Sequence, residues 1–279
     1  MTTAADLREH RVIANGLDLH YLEWGAADAP PLVLLHGLTG HAHIWEWMAP
    51  SLAERYHVYA PDQRGHGDSQ HADTYATADY VADVVALAAH WGIERFPLIG
   101  LSMGGHNALA FAAAHPDRVT QLCAIDIPPK LTWHLSPSHT EGLKLIAEGH
   151  RRYATFIEAY GDARAENVTA PDTNLRHRTE HNLHRNADGT LSLKWDPKAQ
   201  AHWDPADLWP RLPSITAPTL LVRAGINAYL TAETAERMAN AISGPATVVE
   251  VSASGHSVPT DAPQLLAPIL MDWLAATAP

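Results

Sequence analysis

The sequence predicts an α/β fold: a mostly parallel eight-stranded sheet with helices on both faces, and an inserted, mainly helical cap late in the chain. Three observations lead there. Short continuous apolar runs, of which Pro31 to Leu35 is the clearest, alternate with helix-forming stretches, and such runs mark strands buried on both faces. Between about Pro129 and Leu212 that alternation stops and the text turns polar and rich in histidine and tryptophan; from Pro218 it resumes. The 279 residues suffice for one large α/β core with an insertion. Residues 1–128 and 213–279 are therefore assigned to the core and 129–212 to the cap.

Taken in order, Arg11 to Trp24 alternates polar and apolar residues around Asn15-Gly16, the signal of an antiparallel hairpin. The apolar strand Pro31 to Leu35 ends in His36-Gly37-Leu38-Thr39-Gly40, and a helix is expected from Trp45 to Glu54. A strand at His57 to Pro61 runs into the loop Asp62 to Ser69, and a helix follows from about Ala76 to Trp91. The strand Pro97 to Leu101, a helix from Asn107 to Ala114 and a strand at 119–125 come next, closed by Asp126-Ile127-Pro128-Pro129. Inside the cap, Asn186 to Trp195 reads as a turn into a short extended piece. The core pattern returns with strands at Pro218 to Arg223 and Thr247 to Val251, separated by a helix from Thr231 to Ile242 and followed by a terminal helix.

Composition narrows the function. The single cysteine, Cys123, lies in an apolar strand, which excludes a disulfide framework and reads as a buried thiol in a reducing compartment. With 31 acidic against 19 basic residues and a formal charge of −12, the long-range field disfavours nucleic acid and anionic membrane partners. The segment Met1 to Asp6 lacks a basic stretch leading into an apolar one, and no window reaches the roughly 18 apolar residues of a membrane span. The expectation is a soluble, cytoplasmic protein acting on a small molecule.

The stretch Gly100-Leu101-Ser102-Met103-Gly104 organises the rest. A strand that turns sharply into a helix at G-x-S-x-G exposes the serine hydroxyl at a helix N-terminus, whose free N–H groups point at any oxyanion formed beside it. Together with His36-Gly37, Asp62-Gln63-Arg64-Gly65-His66-Gly67-Asp68-Ser69 and Gly255-His256-Ser257-Val258-Pro259, in that order along the chain, it resembles the α/β-hydrolase family, in the subgroup with a helical cap between the sixth and seventh core strands. The resemblance implies Ser102 as nucleophile, His256 as general base, and the backbone N–H groups of Leu38 and Met103 as an oxyanion hole. Trp45, Trp133 and Trp203 become candidates for an aromatic pocket wall.

One member departs from the family pattern. The acid of the family usually lies three residues beyond a glycine after the next-to-last strand; here that slot is Ala228. Asp126, at the end of the preceding core strand, supplies a carboxylate in one reading; Asn227 holds the imidazole through its amide oxygen in a second; in a third the slot is altered and the protein is a weakened hydrolase or a ligand-binding member of the fold. The favoured reaction is hydrolysis of a small or medium carboxylic ester or lactone. The enzymatic alternative is hydrolysis of a C–C bond in a diketone-like substrate whose carboxylate Arg178 or Arg185 holds. No cofactor is implied, since no phosphate-cradling glycine loop follows the first strand. His177-Arg178-Thr179-Glu180-His181 matches a zinc pattern, but the surrounding arginines favour a solvated helix, and no metal is expected. His41 and His43 are placed at the pocket entrance, in packing or at the surface, His106 in the helix interior, and Arg64 as a tie for its loop.

Overall fold

The computed structural model describes residues 7–226 and 228–278, so the readings placed on Met1 to Asp6 and on Asn227 lie outside the described residues. The hairpin predicted around Asn15-Gly16 forms from β1 (Arg8–Ala14) and β2 (Leu17–Trp24), antiparallel, with Ala14 opposite Leu17. Asn15 and Gly16 both have positive φ, 49° and 77°, as a two-residue turn of this hand requires. β2 pairs antiparallel with β4 (His57–Pro61), which lies parallel to β3 (Pro31–Leu35). From β3 the sheet continues in parallel through β5 (Phe96–Leu101), β6 (Val119–Ile125), β9 (Thr219–Ala224) and β10 (Ala246–Val251). The spatial order is β1-β2-β4-β3-β5-β6-β9-β10.

Burial follows from the period-two geometry of the strands. Leu32 and Leu34 of β3 join a cluster on one face with Trp24, Val58, Ile99, Cys123 and Val222; Val33 and Leu35 join the other face with Tyr59, Leu98, Leu122 and Leu221. That is why β3 reads as an uninterrupted apolar run. The first face is covered by α1 (Ala49–Leu52), α9 (Val258–Asp261) and α10 (Pro263–Ala276), the second by α2 (Thr77–His90), α3 (Met103–Ala114) and α8 (Ala232–Ala241). Cys123 is buried, and burial pushes its thiol pKa up, so it is a packed, inert thiol.

The helix expected from Trp45 to Glu54 is corrected: a 3₁₀ turn at Ala42–Trp45 and the four-residue α1 replace it. Pro50 is the reason. It has no N–H to donate back to residue 46, so it sits in the first turn of a helix that restarts at Ala49.

Between β6 and β9 the chain forms α4 (Pro137–Glu148), α5 (Phe156–Glu166), α6 (Asp172–His181), the small hairpin of β7 (Leu183–Arg185) and β8 (Leu191–Leu193), and α7 (Pro197–Ala201). The Asn186 to Trp195 stretch read as turn and strand supplies the turn and β8 of this hairpin. Polar ties hold this segment over the carboxyl ends of the strands: Asp196 N donates to Gly65 O at 2.7 Å, Asn182 Nδ2 to Thr39 O at 3.2 Å, and Asn174 Nδ2 to Thr260 O at 2.9 Å. The reading of α6 as a solvated helix is corrected as well. Its polar text hides a buried face, Asn174, Leu175 and Thr179, spaced to fall on one side of a helix and seated against the core.

Candidate active site

Every side chain predicted to carry chemistry follows the carboxyl end of a parallel strand, where open α/β sheets gather ligands. Ser102 directly follows β5 with φ 53° and ψ −119°, conformational strain for a residue with a Cβ. The surrounding packing enforces it. A Cβ on Gly104 would lie 2.4 Å from Leu35 O, and one on Gly100 would lie 2.2 Å from Gly104 O, so only glycines let strand, turn and helix pass this closely. Gly37 packs against the same serine, where an added Cβ would meet Ser102 Cβ at 3.2 Å.

His256 follows β10 and presents Nε2 to Ser102 Oγ at 2.9 Å, while its Nδ1 lies 2.7 Å from Asp126 Oδ2. Asp126 follows β6 in a left-handed conformation with φ 49°, and its side chain is fully enclosed. Besides the imidazole, its carboxylate accepts backbone N–H groups from Ala224 (3.2 Å), Leu230 (3.2 Å) and Tyr229 (3.0 Å). Burial alone would raise its pKa, but the hydrogen bond and charge of His256, then the backbone donors, outweigh burial and lower it. An Asp126 carboxylate fixes Nδ1–H as the donor and leaves Nε2 as an acceptor for the serine proton. The loop after β9, where the family pattern expects an acid, instead supplies two of these N–H donors, and Ala228 packs against the apolar cluster.

Leu38 and Met103 flank the serine. The N–H of Met103, first residue of α3, precedes the first helical acceptor, and among the described residues that of Leu38 donates to no chain acceptor. The turn carrying Leu38 is held by a buried chain of polar groups. His36 Nδ1–H donates to Gly37 O (2.8 Å), Gln63 N–H donates to His36 Nε2 (2.9 Å), Gln63 Nε2 to His36 O (2.6 Å), and Asn107 Nδ2 to Gln63 Oε1 (2.8 Å). Burial lowers the His36 pKa and keeps the ring neutral, as acceptance at Nε2 demands.

The three tryptophans divide. Trp133 and Trp203 meet edge to face with centroids 4.7 Å apart, in a cluster that includes Met103. Trp45 is fully enclosed in the core cluster with Met48, Leu52 and Leu34, so it has no face to offer a ligand. His41 and His43 are packed inside rather than at an entrance, His41 Nε2 being 2.9 Å from Arg178 O. His106 Nε2 donates to Ala206 O at 3.0 Å, and Arg64 is clamped bidentately by Asp83 at 2.6 and 2.7 Å, the structural parts expected of both. Arg185 is spent on its own hairpin, donating to Gly189 O. Arg178 donates to Asn167 Oδ1 and to Ser257 Oγ, the residue after His256, and makes no ion pair among the described residues. The sequence reading missed Gln63 and Asn107, which act only through a contact between distant segments. It also missed Tyr229, whose ring centroid lies 4.3 Å from that of His256.

Sheet order, strained serine turn and the serine–imidazole–carboxylate series together define a hydrolase of the α/β class. The model of the alpha/beta hydrolase fold family matches residues 30–263, and the chain belongs to that family. An esterase of Mycobacterium tuberculosis, Rv0045c, is 32% identical over 260 residues, covering 89% of this chain and 84% of that protein. The 2-(acetamidomethylene)succinate hydrolase of Mesorhizobium japonicum is 27% identical across 99% of this chain and all of the relative. N-formylmaleamate deformylase of Pseudomonas putida is 28% identical over 90% of each chain. Among solved structures, that of E-2-(acetamidomethylene)succinate hydrolase superposes with a TM-score of 0.85, covering 97% of this chain and all of that one at 24% identity, which speaks to the fold. The protein is an enzyme, a hydrolase. No helix among the described residues is long and apolar enough to cross a membrane.

Proposed function

We propose that this protein is a serine hydrolase that cleaves a small or medium carboxylic ester or lactone beneath a cap formed by residues 129–212. One observation carries the proposal: the unbroken series from Ser102 Oγ through His256 (2.9 Å) to Asp126 (2.7 Å). As Ser102 Oγ attacks the substrate carbonyl carbon, its proton passes to His256 Nε2. The carbonyl oxygen becomes an oxyanion held by the N–H groups of Leu38 and Met103, and the Asp126 carboxylate stabilises the imidazolium. Collapse expels the alkoxide, which takes the proton from Nε2, and leaves an acyl ester on Ser102. Water then attacks with His256 as base, the acid departs and Ser102 regains its proton.

Arg178 motivates a finer reading. A half-buried guanidinium beside the His256 loop, with no ion-pair partner among the described residues, carries a desolvation cost, and burial lowers its pKa against the opposing charges of Asp261 and Glu166. A carboxylate on the substrate would relieve that cost, and two of the relatives are named for such substrates, a succinate and a maleamate. The substrate class we favour therefore bears a free carboxylate near the scissile carbonyl. The C–C bond alternative draws on the same arginine. A weakened or non-hydrolytic role, suggested by Ala228, has less support because Asp126 fills the place beside Nδ1.

Treatment with a small fluorophosphonate, followed by peptide mass spectrometry, tests the core of the proposal. One adduct per chain at Ser102, and loss of both adduct and ester turnover in Ser102→Ala, are expected. Turnover that survives Ser102→Ala would refute it.

A further inference from the structure

Away from the triad, three imidazoles and a carboxylate converge between the core and the segment above it. His43 lies in the 3₁₀ turn after the Leu38 loop, and Glu46 caps that turn. His177 and His181, one turn apart on α6, project from the same face of that helix. One ligand-capable atom from each of the four falls within 4.8 Å of all the others. His43 Nδ1 is hydrogen-bonded to Glu46 Oε1, and His177 Nε2 lies 3.3 Å from the same oxygen. The rings of His43 and His181 stack at 3.7 Å, and those of His177 and His181 are 4.5 Å apart. His177 Nε2 is buried and makes no hydrogen bond of acceptable geometry despite its proximity to Glu46.

We propose that His43, Glu46, His177 and His181 bind a divalent transition-metal ion of the zinc class, joining α6 to the core. A tetrahedral ion with metal–ligand bonds of about 2.0 to 2.2 Å separates its ligand atoms by roughly 3.4 Å, so atoms now within 4.8 Å of one another have only a short distance to draw in. Three imidazoles with one carboxylate select zinc, nickel, cobalt or copper over magnesium and calcium, which take oxygen ligands. The Glu180 of the H-x-x-E-H pattern is exposed and outside the cluster; the acid comes from Glu46, 134 positions earlier in a chain where no spacing rule could find it. A second acid–histidine group, His20, Asp62 and Asp68, is not equivalent. Asp62 is already engaged at both oxygens by His20, Ala42 N–H and Asp68 N–H. Because α6 also carries Arg178, and Asn182 just beyond it donates to Thr39 O, an ion here fixes that helix over the Leu38 loop.

The test is calorimetric titration of the full chain, stripped with chelator, with zinc alone. We expect one tight site standing clear of weak binding by the other histidines. His177→Ala should weaken it about 100-fold or more, since even outer-shell changes cost 10–100-fold. Glu46→Gln preserves shape and removes only the charge, so it reads the same site should His177→Ala fold poorly by circular dichroism; a loss of at least about tenfold is expected. Absence of a tight site in the parent overturns the proposal, as does a tight site unchanged in folded Glu46→Gln and His177→Ala.

Discussion

Replacing Asp126 by asparagine isolates the acid of the proposed triad. Asparagine tolerates the left-handed φ of 49° at this position, so backbone strain does not confuse the result. Four donors converge on the carboxylate: Ala224 and Leu230 N–H on Oδ1, Tyr229 N–H and His256 Nδ1 on Oδ2. An amide has only one oxygen. With its NH₂ in the Oδ1 place, two buried N–H groups lose their acceptor, at about 1 to 3 kcal/mol each. With the NH₂ in the Oδ2 place, one N–H is stranded and His256 can accept at Nδ1, which moves its proton to Nε2, facing Ser102. The second arrangement costs less and disables the base. Loss of the correct tautomer is worth about 10⁴ in kcat in a serine protease, or about 5 kcal/mol of transition-state stabilisation. We therefore expect Asp126→Asn to fold, to lose about 1 to 3 kcal/mol of stability in urea, and to hydrolyse a p-nitrophenyl ester with kcat reduced by about 10³ to 10⁴. A variant within tenfold of the parent in kcat, with undiminished fluorophosphonate reactivity at Ser102, would refute the assignment.

Two further outcomes follow from the same geometry. Arg178→Gln should raise KM at least about tenfold for an ester carrying a free carboxylate while leaving its neutral methyl analogue within about twofold, since a charged hydrogen bond is worth about 1.5 to 3 kcal/mol; equal effects on both substrates would remove the carboxylate anchor. Burial pushes His66 down to about 3 and His106 to about 4, so both stay neutral in the folded chain while their unfolded counterparts charge below about 6.5. Each therefore draws on stability as pH falls from about 6.5 toward its folded value, about 2 kcal/mol apiece by pH 5. His20, whose pKa is raised by Asp62 against the opposing effect of burial, acts in the other direction. His106→Gln removes one titration, so its loss of unfolding free energy between pH 7 and pH 5 should be smaller than the parent's by about 2 kcal/mol; identical pH slopes would show that His106 is not held neutral.

Sequence by itself determined the strand–helix alternation, because strands buried on both faces must be apolar throughout, and it determined Ser102 and His256 as candidates, because their turns need particular neighbours. Gly100 and Gly104 are legible for that reason: any side chain there would enter backbone only 2.2 to 2.4 Å away. Tertiary structure decided what depends on distance between segments far apart in the chain. Asp126 and His256 are 130 residues apart, and only the parallel order β5-β6-β9-β10 brings the ends of their strands together. Ala228 left the acid undetermined in the text; folding turns the same loop into a donor of N–H groups to a carboxylate from the neighbouring strand. Trp45, read as a pocket wall, lies instead in the core with Leu34, Met48 and Leu52, because the turn that carries it packs against the sheet. Periodicity reports which face of a helix is apolar but not which polar residues will meet across an interface, and so His177 and His181 found His43 and Glu46 only in three dimensions.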